Sequence, residues 1–416
     1  MKYGLIAKKL GHSFSSELHR MIGGYDYELK ELPEEALEAF FAERAFAGIN
    51  VTIPYKEAVL PYLDQLDSAA AAIGAVNTVV NRDGRLIGFN TDLGGLIALI
   101  NRMGLDMRRK KVLILGTGGT AKTARFAAVQ LGAAEIHLVS RRKSADAVTY
   151  REAAALHRDA EILINATPCG MYPEPDRQPI DLAAFPKLCG VVDAVYNPLS
   201  TRLVLDARGR GIRAQGGLYM LVAQAALASA CFTGHDLDES VIEGAYARLL
   251  RNKQNLVLIG MPGCGKTAVG REAAALLGRE FVDLDQLISE RAGQSIPDIF
   301  AEKGEAVFRD LESQVVREIA GNTGLVIATG GGCVLRPQNM RRLRQNGCLI
   351  LLDRPAEQLL PTEDRPLADT PDKMHRLYRE RMPVYQTAAD LIIPAENSVS
   401  ETARRVIRHF NEVLFP

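Results

Sequence analysis

Two glycine-rich stretches in this chain have the residue types and spacing that hold phosphate. Gly260-Met261-Pro262-Gly263-Cys264-Gly265-Lys266-Thr267 is a complete P-loop pattern, directly behind the apolar run 256–259 and opening a helical one. In that setting the backbone N–H groups of Gly263, Cys264 and Gly265 cradle phosphate oxygens, Lys266 neutralises them, and the Thr267 hydroxyl ligates Mg²⁺. The next apolar run ends in Phe281-Val282-Asp283-Leu284-Asp285. Strand alternation puts both carboxylates on one side of it, at the phosphate end of the sheet. One can hold magnesium through water while the other takes a proton or hydrogen bond from a hydroxyl. Gly330-Gly331-Gly332, behind the run 325–328, lets the backbone approach a small ligand closely.

The second stretch is Gly116-Thr117-Gly118-Gly119-Thr120-Ala121, between the apolar run 111–115 and a helical segment reaching Leu131. Gly116, Gly118 and Gly119 permit a tight turn, and Thr120 and Ala121 open the helix on whose positive N-terminus a pyrophosphate sits. The end of the following strand selects the dinucleotide. An NAD site would place Asp or Glu there for the ribose 2′-hydroxyl. This chain has Ser140-Arg141-Arg142-Lys143, a hydroxyl with a cationic cluster that suits a 2′-phosphate, so NADP is expected. The plain alternative is a solvated loop of positive charge.

These motifs need parallel sheets to aim them, and the surrounding sequence supplies the pattern. Runs at 3–7, 26–29 and 48–53, a helix over 34–43, and a hairpin of 76–81 with 86–89 about Asp83-Gly84 make a first segment. Strands at 111–115, 135–140, 162–166, 191–194 and 213–214 then alternate with helices, as in doubly wound folds. A helical stretch over 218–250 and a polar piece, 251–255, precede the P-loop pattern. At 416 residues, two or three domains are expected. Fifty basic and fifty acidic residues leave no net charge, which gives no support to a nucleic-acid or membrane partner. The six cysteines show no CxxC spacing, hence no zinc or redox motif. Lys8 and Lys9 interrupt any signal-peptide core, and the apolar stretch 219–232 is too short for a membrane span, so a cytoplasmic protein is expected.

The first roughly 250 residues resemble shikimate dehydrogenase through many blocks in that family's order. Gly11-His12-Ser13-Phe14-Ser15 is similar to its HSxS loop, and Asn50-Val51-Thr52-Ile53-Pro54-Tyr55-Lys56 to its NVTxPxK block. Gly74-Ala75-Val76-Asn77-Thr78, Gly88-Phe89-Asn90-Thr91-Asp92, Asn165-Ala166-Thr167-Pro168, Val195-Tyr196-Asn197-Pro198 and Gly217-Leu218-Tyr219-Met220-Leu221-Val222-Ala223-Gln224 also fit. The resemblance implies that Ser13, Ser15, Asn50, Thr52, Asn77, Tyr196 and Gln224 hold substrate, with Gly217 at the cofactor. Lys56 and Asp92 would be the catalytic pair. Such a pair makes chemical sense, because a carbonyl that accepts hydride becomes an oxyanion needing positive charge and then a proton. On its own, Asp92 also reads as a helix N-cap ahead of Leu93. The family usually has proline where this chain has Ser16, and Ala7-Lys8-Lys9-Leu10 differs from its usual start.

From about Asn255 the chain resembles shikimate kinase. Gly304-Glu305-Ala306-Val307-Phe308-Arg309 is similar to the GExxFR block, Ala328-Thr329-Gly330-Gly331-Gly332 to ATGGG, Arg365-Pro366-Leu367 to the lid RPL, and Arg381-Met382-Pro383-Val384-Tyr385 to RxPxY. The resemblance implies ATP as donor, Arg309 and Arg381 on the shikimate carboxylate, Gly330–Gly332 beside the ring, and Asp285 on its hydroxyls and as base. Arg365 would face the phosphates, and Asp283 would join Thr267 at the magnesium. Arginine suits a carboxylate because its planar fork makes two parallel charged bonds. Taken alone, Arg309 reads as an exposed helix residue paired with Asp310 or Glu312. Pro361-Thr362 replaces the family's Arg-Thr ahead of the lid.

The expected architecture is therefore α/β throughout. Residues 1–92 and 218–250 would bind substrate, 93–217 would form a Rossmann-like NADP domain, 251–255 a linker, and 256–416 a P-loop kinase. The expected reactions are reduction of 3-dehydroshikimate to shikimate and phosphorylation of shikimate to shikimate 3-phosphate, in a chain for which a homodimer stays open. The rivals are a fold-retaining regulatory protein that has lost one activity and a dehydrogenase half acting on quinate or with NAD.

Overall fold

The structure, a computed structural model, describes residues 1–10, 13–359, 370–396 and 398–414. The chain separates into two compact units, Met1–Leu249 and Leu250–Pro416. Among the described residues the strands form three sheets.

In the first unit one sheet has the order Glu28–Glu31, Tyr3–Ala7, Gly48–Val51, Thr78–Arg82, Arg85–Phe89, Gln65–Leu66. It is mixed: the first three strands run parallel, and Thr78–Arg82 pairs antiparallel with both its neighbours. Its hairpin turns at Asp83 and Gly84, both with positive φ, the backbone that a two-residue turn of matching twist requires. The second sheet is fully parallel, in the order Arg213–Gln215, Gly190–Asp193, Ile162–Asn165, Lys111–Leu115, Glu135–Ser140, Ala147–Thr149. Its central strands are continuous apolar runs because helices cover both faces.

The helix Leu218–Thr233 is apolar nearly all round and lies against the helix Thr91–Arg102. The two approach closely because Gly95 has no side chain; a Cβ there would lie 2.7 Å from the Met220 carbonyl. The stretch 218–250 is thus two helices, Leu218–Thr233 and Glu239–Lys253, separated at Gly234, whose left-handed φ ends the first. The polar piece 251–255 is not a loop. Its first three residues finish the second helix, and Asn255 opens a strand with its amide bonded to Asn322 O and Leu325 N.

The second unit has one parallel sheet, in the order Phe281–Asp283, Val326–Ala328, Asn255–Ile259, Gly347–Asp353, Leu391–Pro394. Leu256 to Ile259 and Leu349 to Leu352 are wholly buried at its centre, which fixes the C-terminal edge where the P-loop emerges. Among the described residues no helix is long and apolar enough to cross a membrane.

Candidate active sites

In the first unit the site grows from Asn77, at the mouth of the strand Thr78–Arg82. Its Oδ1 accepts from the Thr91 N–H (2.7 Å), and its Nδ2 donates to Thr91 Oγ1 (3.0 Å) and Gln224 Oε1 (3.4 Å). Three elements distant in sequence therefore meet at one amide. Asp92 follows Thr91, and its Oδ2 lies 2.5 Å from Lys56 Nζ. Both side chains are well shielded, 15% and 9% exposed, so water screens this pair far less than a surface one. Lys56 is held from behind: its carbonyl accepts from Val76 N (2.8 Å), and the neighbouring Tyr55 hydroxyl donates to Leu32 O (2.6 Å).

The cap of the helix Thr91–Arg102 is Asn90, not Asp92: Asn90 Oδ1 accepts from Leu93 N at 3.2 Å. Only a residue outside the helix can reach back to the third N–H, which leaves Asp92, inside the first turn, free to face Lys56. Asn90 also donates to Ala75 O (2.8 Å) and Thr123 Oγ1 (3.4 Å), and Thr123 donates to Gly119 O (3.1 Å). Gly119 itself sits 3.7 Å, measured from the position of a Cβ, from the Lys56 side chain. The glycine turn thus abuts the lysine. Gly118 precedes the helix Gly119–Gln130, Thr120 is half-buried in its first turn, Ala121 is buried, and the Gly116 N–H donates to Val139 O (2.8 Å).

The remaining predicted residues fall around this centre. Ser13 Oγ and Ser15 Oγ are 3.1 Å apart at the start of the helix Ser15–Gly23, while Gly11 and His12 lie outside the described residues. Thr52 is half-buried beside Lys56's turn, its N–H donating to Ile6 O. The Tyr196 ring packs on Phe14 at 5.4 Å. Gly217 donates to Val195 O (2.8 Å) and starts the helix that carries Gln224. Ser140 Oγ donates to Arg142 O at the end of its strand, Arg141 and Arg142 are exposed there, and Lys143 pairs with Glu152 (2.7 Å). Asn50, expected as a substrate ligand, is buried, accepts from Tyr27, and donates to Asn77 O and Thr78 Oγ1.

Asp193 was not anticipated, although a carboxylate ending a buried parallel strand is a readable signal. It is wholly buried and accepts from Thr201 Oγ1 (2.6 Å), Asn165 Nδ2 (2.9 Å) and Val195 N (3.0 Å), bracing the loop that bears Tyr196. Burial lifts its carboxyl from 3.8 to about 6, against the pull of those donors. A raised folded value means that the unfolded chain loses this proton first. Folding therefore weakens as pH rises through that window, by about 3 kcal/mol once complete. Asp193→Asn is expected to melt at a temperature that gains on the parent's from about pH 4 to about pH 7 and then keeps a constant gap. An equal gap at both pH values would reject this assignment.

In the second unit the P-loop joins the strand Asn255–Ile259 to the helix Lys266–Leu277. Gly263 (φ 83°) and Gly265 (φ 99°) are left-handed, which turns successive N–H groups, that of Cys264 between them included, into one concavity. Lys266 Nζ bridges Gly260 O (2.8 Å) and Met261 O (2.9 Å). Thr267 Oγ1 donates to Asp283 Oδ2 at 2.6 Å. Strand alternation does not place the two aspartates. Asp283 ends its strand and caps the helix Leu284–Ala292, accepting from Asp285 N, and Asp285 stands in the first turn of that helix.

The three glycines each touch a different functional part. A Cβ on Gly330 would overlap Asp285 Oδ1, one on Gly331 would lie 2.7 Å from the Pro262 ring, and one on Gly332 would overlap the Arg309 guanidinium. Arg381 donates to Gly331 O (2.9 Å), as does the Tyr385 hydroxyl. Arg309 is buried, not exposed, and its guanidinium bridges Glu305 (3.1 Å) and Glu312 (3.1 Å). Burial first, and then the nearby Asp285, push the Glu312 carboxyl from 4.5 to about 7, despite Arg309. The spacing of Glu312 from Arg309 was legible, its burial was not. Arg365 and Pro361-Thr362 lie outside the described residues.

Two family models match the chain: the shikimate dehydrogenase substrate binding domain over residues 5–79 and shikimate kinase over 262–411. The NADP(+) shikimate dehydrogenase of Clostridium perfringens is 35% identical over 265 residues, 59% of this chain and 97% of that one. Its counterpart from Geobacillus kaustophilus is 38% identical over 255 residues, 56% of this chain and 92% of that one. Among solved structures, the Thermus thermophilus shikimate 5-dehydrogenase in complex with NADP(H) and shikimate superposes with a TM-score of 0.54 at 35% identity. It covers 60% of this chain and 99% of its own. A Clostridium acetobutylicum chorismate mutase/shikimate 5-dehydrogenase fusion gives a TM-score of 0.56 at 33% identity, covering 59% of this chain and 96% of its own. Since such relatives are spanned almost end to end, and the kinase family model overlies the P-loop unit, the chain belongs to the shikimate dehydrogenase family and carries a shikimate kinase domain behind it, an oxidoreductase and a kinase of the shikimate pathway in one polypeptide.

Proposed function

We propose that the first unit reduces 3-dehydroshikimate to shikimate and the second phosphorylates the shikimate 3-hydroxyl. Bound NADPH would supply the hydride to one reaction and bound MgATP the phosphoryl group to the other. The observation carrying the first assignment is the Lys56–Asp92 pair, set between Asn77 and the Gly119 turn. Lys56 would stabilise the oxyanion forming at C3 and hand it a proton, while Asp92 holds the ammonium in line. Ser13, Ser15, Thr52, Asn77, Tyr196 and Gln224 would orient the ring and its carboxylate. Arg141 and Arg142 would meet the NADP 2′-phosphate.

In the second unit Arg309 and Arg381, flanking the glycine turn, would clamp the shikimate carboxylate. Asp285 would receive the proton of the attacking hydroxyl. Thr267 and Asp283, whose oxygens already meet, offer the hard ligands that magnesium takes when it arrives with phosphates. The expected result of incubating the chain with 3-dehydroshikimate, NADPH and MgATP is shikimate 3-phosphate. Accumulation of shikimate alone would reject the kinase assignment, and absence of turnover would reject both.

A further inference from the structure

The dehydrogenase cradle is built from two pieces that do not touch each other directly in sequence: the serine turn at 13–15 and the amide of Asn77. Both pieces are tied to Tyr27. On one side the Ser16 hydroxyl donates to Tyr27 O (3.0 Å), and the His19 ring, one turn further along the Ser15–Gly23 helix, stacks on the Tyr27 ring at 4.0 Å and 4°. On the other side the Tyr27 hydroxyl donates to Asn50 Oδ1 (2.7 Å). Asn50 Nδ2 then donates one hydrogen to Asn77 O (3.1 Å) and the other to Thr78 Oγ1 (2.9 Å). Thr78 Oγ1 in turn donates to Asn77 Oδ1 (3.2 Å).

Every member of this chain of contacts apart from Ser16 is buried. Reversing the Asn50 amide would set its carbonyl against the Asn77 carbonyl, so the Asn77 carbonyl fixes the amide's orientation and turns Asn50 Oδ1 toward the phenol. The stack carries no charge at neutral pH, because burial holds the His19 imidazole down at about 3. The serine at position 16 matters here, since proline has no side-chain donor for the Tyr27 carbonyl.

We infer that Tyr27 is a positioning residue for the reduction, setting the serine turn and Asn77 at a fixed separation through Ser16 and Asn50. It touches no reacting atom, and the inference rests on the dehydrogenase reading above. The test is steady-state kinetics on the full chain. Tyr27→Phe keeps the stacked ring and removes the hydroxyl, so the buried Asn50 carbonyl loses its 2.7 Å donor and keeps only the His19 ring beside it. The expected result is a rise of about tenfold in KM for 3-dehydroshikimate, with kcat changed less than about threefold and KM for NADPH unmoved. Ser16→Ala, at a half-buried position, is expected to raise the same KM by about threefold, which keeps the test open should the first variant misfold. A parent that reduces 3-dehydroshikimate, with variants whose KM for it is unchanged or moves in step with that for NADPH, overturns the inference alone. A parent that does not reduce it overturns the dehydrogenase reading and the inference with it.

Discussion

Lys56→Ala is expected to slow NADPH-dependent reduction of 3-dehydroshikimate by about two to four orders of magnitude. Phosphorylation of shikimate by the same chain should be unaffected, because the two activities belong to separate compact units. The argument rests on what Lys56 supplies: a cation 2.5 Å from Asp92, in a setting where little water can replace it. Alanine removes the charge and the proton together and leaves a shielded carboxylate without its partner. Lys56→Arg separates those two losses. Arginine keeps the charge but does not release a proton near neutral pH, so it should recover binding and little of kcat. The checking measurement is kcat and KM for both reactions on each protein. A loss below about tenfold in the alanine variant would remove Lys56 from the chemistry.

Asp285→Asn should have the second largest effect, a fall of about a hundredfold or more in the kinase kcat. Asparagine fills the same space beside Gly330 but cannot take a proton from the attacking hydroxyl. The nucleotide side should be unchanged, since Lys266 is bonded to Gly260 and Met261 and Thr267 to Asp283, none of which needs Asp285's carboxylate. KM for ATP is therefore expected to hold while kcat drops, and reduction of 3-dehydroshikimate is the internal control. An equal change in KM for ATP would point instead to a disturbed P-loop.

What could be read in the residues alone follows a physical divide. The strand, turn and helix about the P-loop pattern and about Gly116–Ala121 were legible because a glycine turn is made of consecutive backbone groups, and consecutive groups are what a sequence displays. Parallel strands such as Lys111–Leu115 were legible for the same reason, burial on both faces leaving an unbroken apolar run. The errors fall where tertiary contact decides. Asp92 and Asn90 are equally good caps by type, and only the reach to Leu93 N selects Asn90. The bonds of Asn50 to Tyr27, Asn77 and Thr78 likewise join residues whose spacing does not announce them. Asp285 was placed on a strand by alternation, but the capping bond from Asp283 begins a helix one residue earlier. Nothing in the spacing of Tyr27 announces that it stands between two parts of the cradle.

The hydrogen bond from Asn77 to Gln224 joins residues 147 positions apart. All six strands of the parallel sheet are made between those two points, so during synthesis that sheet has its whole chain before the helix bearing Gln224 is complete. The N-terminal segment must wait, with the apolar face that will receive Leu218–Thr233 uncovered, while some hundred further residues leave the ribosome. The second unit has no such delay, because its strands and glycine turn follow one another within a single stretch of chain. A pause or truncation ahead of Gln224 would thus leave that apolar face of the first unit open to chaperones and proteases.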